Sequence, residues 1–164
     1  MQALFDLLSF LVGFRGSRDG RRGCSARSAR RPRVYFEEWD EPQISAIRWV
    51  SELIDIAGGS DIFAERALSS LAHGRIVADP QEVVRSRPDI IIGSWCGKKF
   101  RPERVAARVG WADIPAVRNG ELHEIKSPII LQPGPAALTD GLDALHTIIA
   151  RWTSASYSNS GGIR

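Results

Sequence analysis

The sequence predicts an α/β fold: a three-layer, Rossmann-like sandwich around a mostly parallel central sheet. Three observations carry this expectation. From residue 33 onward, short runs rich in β-branched and aromatic residues alternate with stretches of helical period, the pattern of strands joined through covering helices. The run "PDIIIGSW" (88–95) is apolar without alternation, as expected of a parallel strand covered on both faces. Turn and stop signals fall between these segments: Gly58-Gly59, Asp79-Pro80 and the "PGP" at 133–135.

Taken in order, "RVYFEEW" (33–39) reads as a strand that leads into the acidic turn "EEWDEP". Ile44, Ile47, Val50, Leu53 and Ile54 fit the helical period, so a helix is expected over "ISAIRWVSELIDIAGG". "DIF" (61–63) is a short edge strand, and 64–75 is a helix-like loop. Asp79 stands as an N-cap with Pro80 at the first helical position and Glu82 in the first turn, predicting a helix through about Arg87. The strand 88–95 follows. "RPERVAARVGW" (101–111) reads as a helix, "IPAVRNGELHEI" (114–125) as a strand and hairpin around Asn119-Gly120, and "PGPAALTDGLDALHTIIARW" as a closing amphipathic helix. Ligands of such sheets sit beyond the carboxyl ends of the strands. That places Glu37-Glu38-Trp39 and Ser94-Trp95-Cys96 at one rim.

Three regions follow: an apolar segment and disordered arginine-rich linker over 1–31, an α/β lobe over 32–153, and a disordered tail over 154–164. Charge divides along the same lines. Residues 15–33 hold eight arginines against Asp19, a net +7, while the remaining 14 bases and 18 acids leave −4. The overall +3 therefore belongs to the linker, which lacks the interleaved aromatics that stack bases, so no specific nucleic-acid partner is expected. The apolar "ALFDLLSFLVGF" is too short to span a membrane, and no basic region precedes it as in an export signal. Cys24 and Cys96 form no disulfide framework or paired metal motif.

At the rim, Trp39 and Trp95 each follow a strand directly. They form either a flat apolar wall for a planar ligand, with indole N–H groups free to orient it, or plugs for the ends of the core. Trp49, Trp111 and Trp152 are expected in the core. Cys96 beside Lys98 and Lys99, with His123 and Glu124, suggests a thiol enzyme as the alternative; without nucleophile-elbow spacing, a thiol lining a pocket is preferred. The acids Glu37, Glu38, Asp40 and Glu41 read as a solvated strand end rather than a cation site. "GELHEI" lacks a second helical histidine for zinc, and "QPGP" is not a phosphate loop.

The blocks "RPRVYFEEWDEPQIS", "WVSELIDIAGGSDIF", "DPQEVVRSRPDIIIGSW" and "ILQPGPAALTDGLDALHTII", in that order over about residues 31–152, resemble the C-terminal lobe of the substrate-binding proteins of ABC importers for cobalamin, ferric siderophores and haem. The resemblance is nearest to cobalamin-binding members and implies one lobe of a class III periplasmic-binding-protein fold, with the N-terminal lobe missing. It implies a non-enzymatic protein without a catalytic cofactor or metal. Cobalamin or a related metal chelate is the implied transported ligand and an ABC permease dimer the implied partner. It further implies a periplasmic or cell-surface location where the full-length protein carries an export signal. Carried onto matching positions, the ligand contacts are Glu38, Trp39, Trp95, Cys96, Ser127 and Gln132. Gly93 and Gly97 let the backbone approach the ligand, and Glu82 is the permease-docking carboxylate.

Overall fold

A computed structural model describes residues 30–160, with side chains through 156. The N-terminal apolar stretch and nearly all of the arginine-rich linker lie outside the described residues, so the expectations for them stay there.

Strand β1 (Arg33–Asp40) is the centre of the sheet. After the Glu41–Pro42 turn, whose peptide bond is cis, β2 (Gln43–Ser45) folds back antiparallel against the end of β1. The helix expected from residue 44 therefore begins later, as α1 (Arg48–Ile56), because Ile44 and Ser45 are committed to strand pairing. Gly58, at φ +93°, reverses the chain into β3 (Ser60–Asp61), which pairs parallel with the start of β1 and replaces the edge strand expected at 61–63. Two 3-10 turns, Arg66–Leu68 and Ala72–Arg75, fill the helix-like loop.

Helix α2 (Gln81–Ser86) starts where Asp79 predicts, with the Gln81 amide donating to Asp79 Oδ1 at 3.0 Å. β4 (Ile90–Gly93) then lies parallel to β1, pairing Val34 with Ile90 and Glu37 with Gly93. The expected helix over 101–111 is shorter, α3 (Pro102–Ala106). Two further expectations are corrected. "PAVR" is a helical turn, α4 (Pro115–Arg118), begun by proline, and Asn119-Gly120 leads out of it rather than joining a hairpin. β5 (Leu122–Glu124) consequently pairs parallel with β4. A separate helical turn, α5 (Ser127–Ile130), precedes the closing helix, which is itself divided into a π-turn at Ala137–Gly141 and α6 (Leu142–Ser160) and continues past the expected start of the tail.

The sheet order is β2-β1-β4-β5, with β3 also on β1, and only β2 antiparallel. Successive residues of β1 and β4 enter different cores. Val34, Phe36, Ile90 and Ile92 pack with α1 and α6 on one face; Tyr35 and Ile91 pack with Val83, Val105 and Trp111 on the other. This is why "PDIII" carries no polar alternation: both faces are covered, giving the three layers expected. Trp111 is fully buried, while Trp49 and Trp152 pack against the first core.

The half-buried acid Asp61 opposes this packing. Burial pushes the Asp61 carboxyl above its ordinary range, against hydrogen bonds from Ser51 and the Phe63 amide. Its folded pKa thus exceeds the unfolded one, so the native state holds the extra proton, and stability falls as pH rises through the window just above the ordinary aspartate range. Asp61→Asn keeps an acceptor for Phe63 and is expected to stabilise the fold at neutral pH. Paired urea titrations should show that gain vanish below the ordinary range.

Candidate functional site

The carboxyl ends of β1, β4 and β5 share one edge because the three strands are parallel. The residues expected at the rim lie there, but most of their polar groups face inward. Glu37 is fully buried. Its carboxylate accepts hydrogen bonds from the Tyr35 hydroxyl (3.1 Å), the Trp95 indole N–H (3.0 Å) and, in a two-pronged grip, Arg108 (2.6 and 2.9 Å). Arg108 also lies over the Trp111 ring, 4.6 Å from its centroid. Burial alone acts against the Arg108 charge, yet the bonds and charge of Glu37 outweigh it and hold the guanidinium above its ordinary pKa. Burial, then the neighbouring Glu37 charge, push the Tyr35 phenol well up.

The expectation of a solvated acidic strand end is therefore corrected. A bulge between Glu37 and Trp39 shifts the pairing register, and Glu38 reaches Arg75, which is buried and also donates to the Ser45 carbonyl at 2.7 Å. Asp40, its side chain 5% exposed, holds Lys98 at 2.5 Å. Of the four acids only Glu41 reaches solvent freely.

The indoles do meet at one place. Lys98 Nζ stands 4.5 Å from the Trp39 ring centroid and 5.5 Å from that of Trp95, so both rings face one ammonium. Their expected free N–H groups are both in use: Trp39 donates to the Glu41 carbonyl at 2.8 Å and Trp95 to Glu37. Trp39 is half-buried, whereas Trp95 is 4% exposed and packs edge-on against Phe100 at 5.1 Å. The expectation that Gly93 admits a ligand is also corrected, since a Cβ there would sit 1.9 Å from Phe100 Cδ2; Gly93 makes room for that ring. Gly97, at φ +73° with open space around it, serves the turn that carries Lys98 back over the indoles.

The remaining candidates are more scattered. Cys96 is exposed in that turn. His123 shares a 2.7 Å hydrogen bond with Glu121 and contacts Arg151, and Glu124 is occupied by Lys126 and the Phe100 amide, so neither completes a set around Cys96. For Glu124, partial burial favours the neutral form, but those two hydrogen bonds prevail and lower its pKa. Ser127 is buried and Gln132 exposed; the helix they flank packs against the opposite face of the sheet from the indoles. Glu82 is half-buried in an ion pair with Arg66 at 2.5 Å.

Beside this rim lies an open groove of about 590 Å³. It is lined by the Asp40–Gln43 turn, by residues between Ile76 and Gln81, and by Arg104, Arg108 and Trp111. Of the six predicted ligand residues only Trp95 lines it. Gln43, Arg108 and Trp111 were not singled out as site residues from the sequence. They have no local motif, and Arg108 meets Glu37 across 71 positions.

The geometry defines one α/β lobe with an aromatic rim and a groove at the carboxyl edge of its sheet. A profile of the periplasmic binding protein family matches residues 24–129, and the chain belongs to that family. No curated protein matches the sequence. Among solved structures it is similar to the periplasmic vitamin B12 binding protein BtuF of Vibrio cholerae, at 21% identity over 92% of this chain and 51% of that one (TM-score 0.58). A possible iron-binding, periplasmic solute-binding protein from Staphylococcus epidermidis aligns at 18% identity over 90% and 51% (TM-score 0.61). The periplasmic heme-binding protein RhuT from Roseiflexus sp. RS-1 aligns at 23% over 75% and 49% (TM-score 0.52). The chain spans about half the length of these proteins, and at such identities the likeness is one of fold. Among the described residues no helix is long and apolar enough to cross a membrane.

Proposed function

We propose that the chain is the solute-capturing C-terminal lobe of an ABC importer's binding protein. Its cargo is a corrinoid such as cobalamin, or a related metal chelate, delivered to a permease dimer from the periplasm or cell surface. The observation that carries this reading is the pair of indoles around Lys98, standing beside the groove at the carboxyl edge of the sheet. Half-exposed Trp39 offers the flat apolar surface, Trp95 supports it from beneath, and Cys96 borders it. Glu38 steadies the bulge through Arg75, while Ser127 and Gln132 supply the far end of the edge. No bond in the cargo changes, so neither a nucleophile nor a cofactor is needed. Glu82 serves permease docking once it exchanges Arg66 for an arginine of the partner.

The test is a titration of the chain with cyanocobalamin, haemin and a ferric hydroxamate, following tryptophan emission with free indole as an absorption control. Saturable quenching by cyanocobalamin is expected, weakened about tenfold in Trp39→Ala. An absence of saturable quenching by all three probes overturns the reading.

A further inference from the structure

We infer that Lys98 is a latch on the rim: in the free chain its ammonium covers the indole face of Trp39, and a captured ligand must displace it. This rests on the binding function proposed above and adds a device that regulates the same site. Lys98 Nζ stands 4.5 Å from the centroid of the Trp39 ring, 5.5 Å from that of Trp95 and 2.5 Å from Asp40 Oδ1. The two indoles and the carboxylate thus hold one ammonium between them, as they would hold a cationic guest. A flat ligand and that ammonium need the same surface of Trp39, so they exclude each other.

The segment that carries Lys98 is suited to lifting. Residues 96–99 are exposed and bridge two buried rings, Trp95 and Phe100, which are 4% and 2% exposed. Phe100 is fixed further by its amide, which donates to Glu124 at 3.1 Å. Between these anchors Gly97 takes φ +73° with open space around it, and Cys96 faces solvent. The Lys98 side chain therefore holds the strap down, and at 39% exposure its ammonium passes readily to water. Asp40, with its side chain 5% exposed, favours the closed state, because Lys98 forms its one ion pair among the described residues. Apparent affinity for a ligand that needs the Trp39 face is then lowered by the fraction of molecules in which the face is open.

The experiment uses the full chain, Lys98→Ala, Lys98→Arg and the double variant Asp40→Asn/Lys98→Ala, with thermal unfolding of each as a check on its fold. Cyanocobalamin and haemin are titrated by tryptophan emission, and acrylamide quenching is measured without ligand. Lys98→Ala is expected to bind the probe that wild type binds about five- to tenfold more tightly. Lys98→Arg keeps a cation over the ring and should stay near wild type. The double variant leaves no acid without its counter-charge and should show the same gain even where the single variant fails to fold. Acrylamide quenching should rise in the alanine variants, and the rise should vanish when Trp39→Phe is added. Folded alanine variants with unchanged affinity, or with no rise in quenching, overturn the latch, since the face is then already open. Weaker binding by both alanine variants also overturns it and makes Lys98 a contact of the ligand; in each of these outcomes the binding function stands. Failure of every probe to bind wild type and variants alike removes the proposed function, and the latch with it.

Discussion

Replacing Arg108 by methionine is expected to destabilise the lobe by about 3–5 kcal/mol, the cost of leaving a buried carboxylate without its counter-charge. Glu37 has no route to solvent, and Arg108 supplies two of its four hydrogen bonds and its balancing charge. The Tyr35 and Trp95 donors that remain are neutral. The double variant Glu37→Gln/Arg108→Met should recover much of the loss, since it removes both charges and keeps an acceptor for Trp95. Urea unfolding of the two singles and the double closes the cycle. A double variant destabilised by the sum of the two singles would show that the charge pair contributes nothing of its own.

Gly93→Ala is expected to cost about 1–3 kcal/mol or more, although alanine suits a strand better than glycine. Its Cβ would meet three ring atoms of Phe100, at 1.9, 2.2 and 2.7 Å, and these belong to a ring packed on both sides. Displacing Phe100 moves its edge-on neighbour Trp95, so the substitution reaches the rim as well. Loss of stability should accompany a red shift in tryptophan emission. Shrinking the obstacle in Gly93→Ala/Phe100→Leu should restore part of both, and an unperturbed Gly93→Ala would refute the packing argument.

What the sequence made legible were features decided within a few residues of one another. The apolar run of β4, the Asp79 cap and the Gly58 reversal all appear as read. Where local preference competed with distant pairing, the reading went astray. "PAVR" looks strand-like from its valine and its neighbours, yet the proline at its start suits a helix, and β5 finds β4 across a long connection. Ile44 fits a helical stripe equally well, but the edge of β1 claims it. For the site, two tryptophans at strand ends pointed to the carboxyl edge of the sheet, where Trp95 lines the groove. Their burial and hydrogen bonding depended on Glu37, Arg108 and Lys98 converging from separate segments, which no spacing rule reveals.

The flanks of the sheet carry a consequence for a chain half the length of its relatives. Beyond β1 and β4 the outer strands are only two or three residues long. Each therefore presents few unpaired amides and carbonyls to a neighbouring molecule. Among the described residues the sheet edges offer a poor template for strand addition. Copies that do associate will meet through side chains, leaving the backbone ladder at its present width.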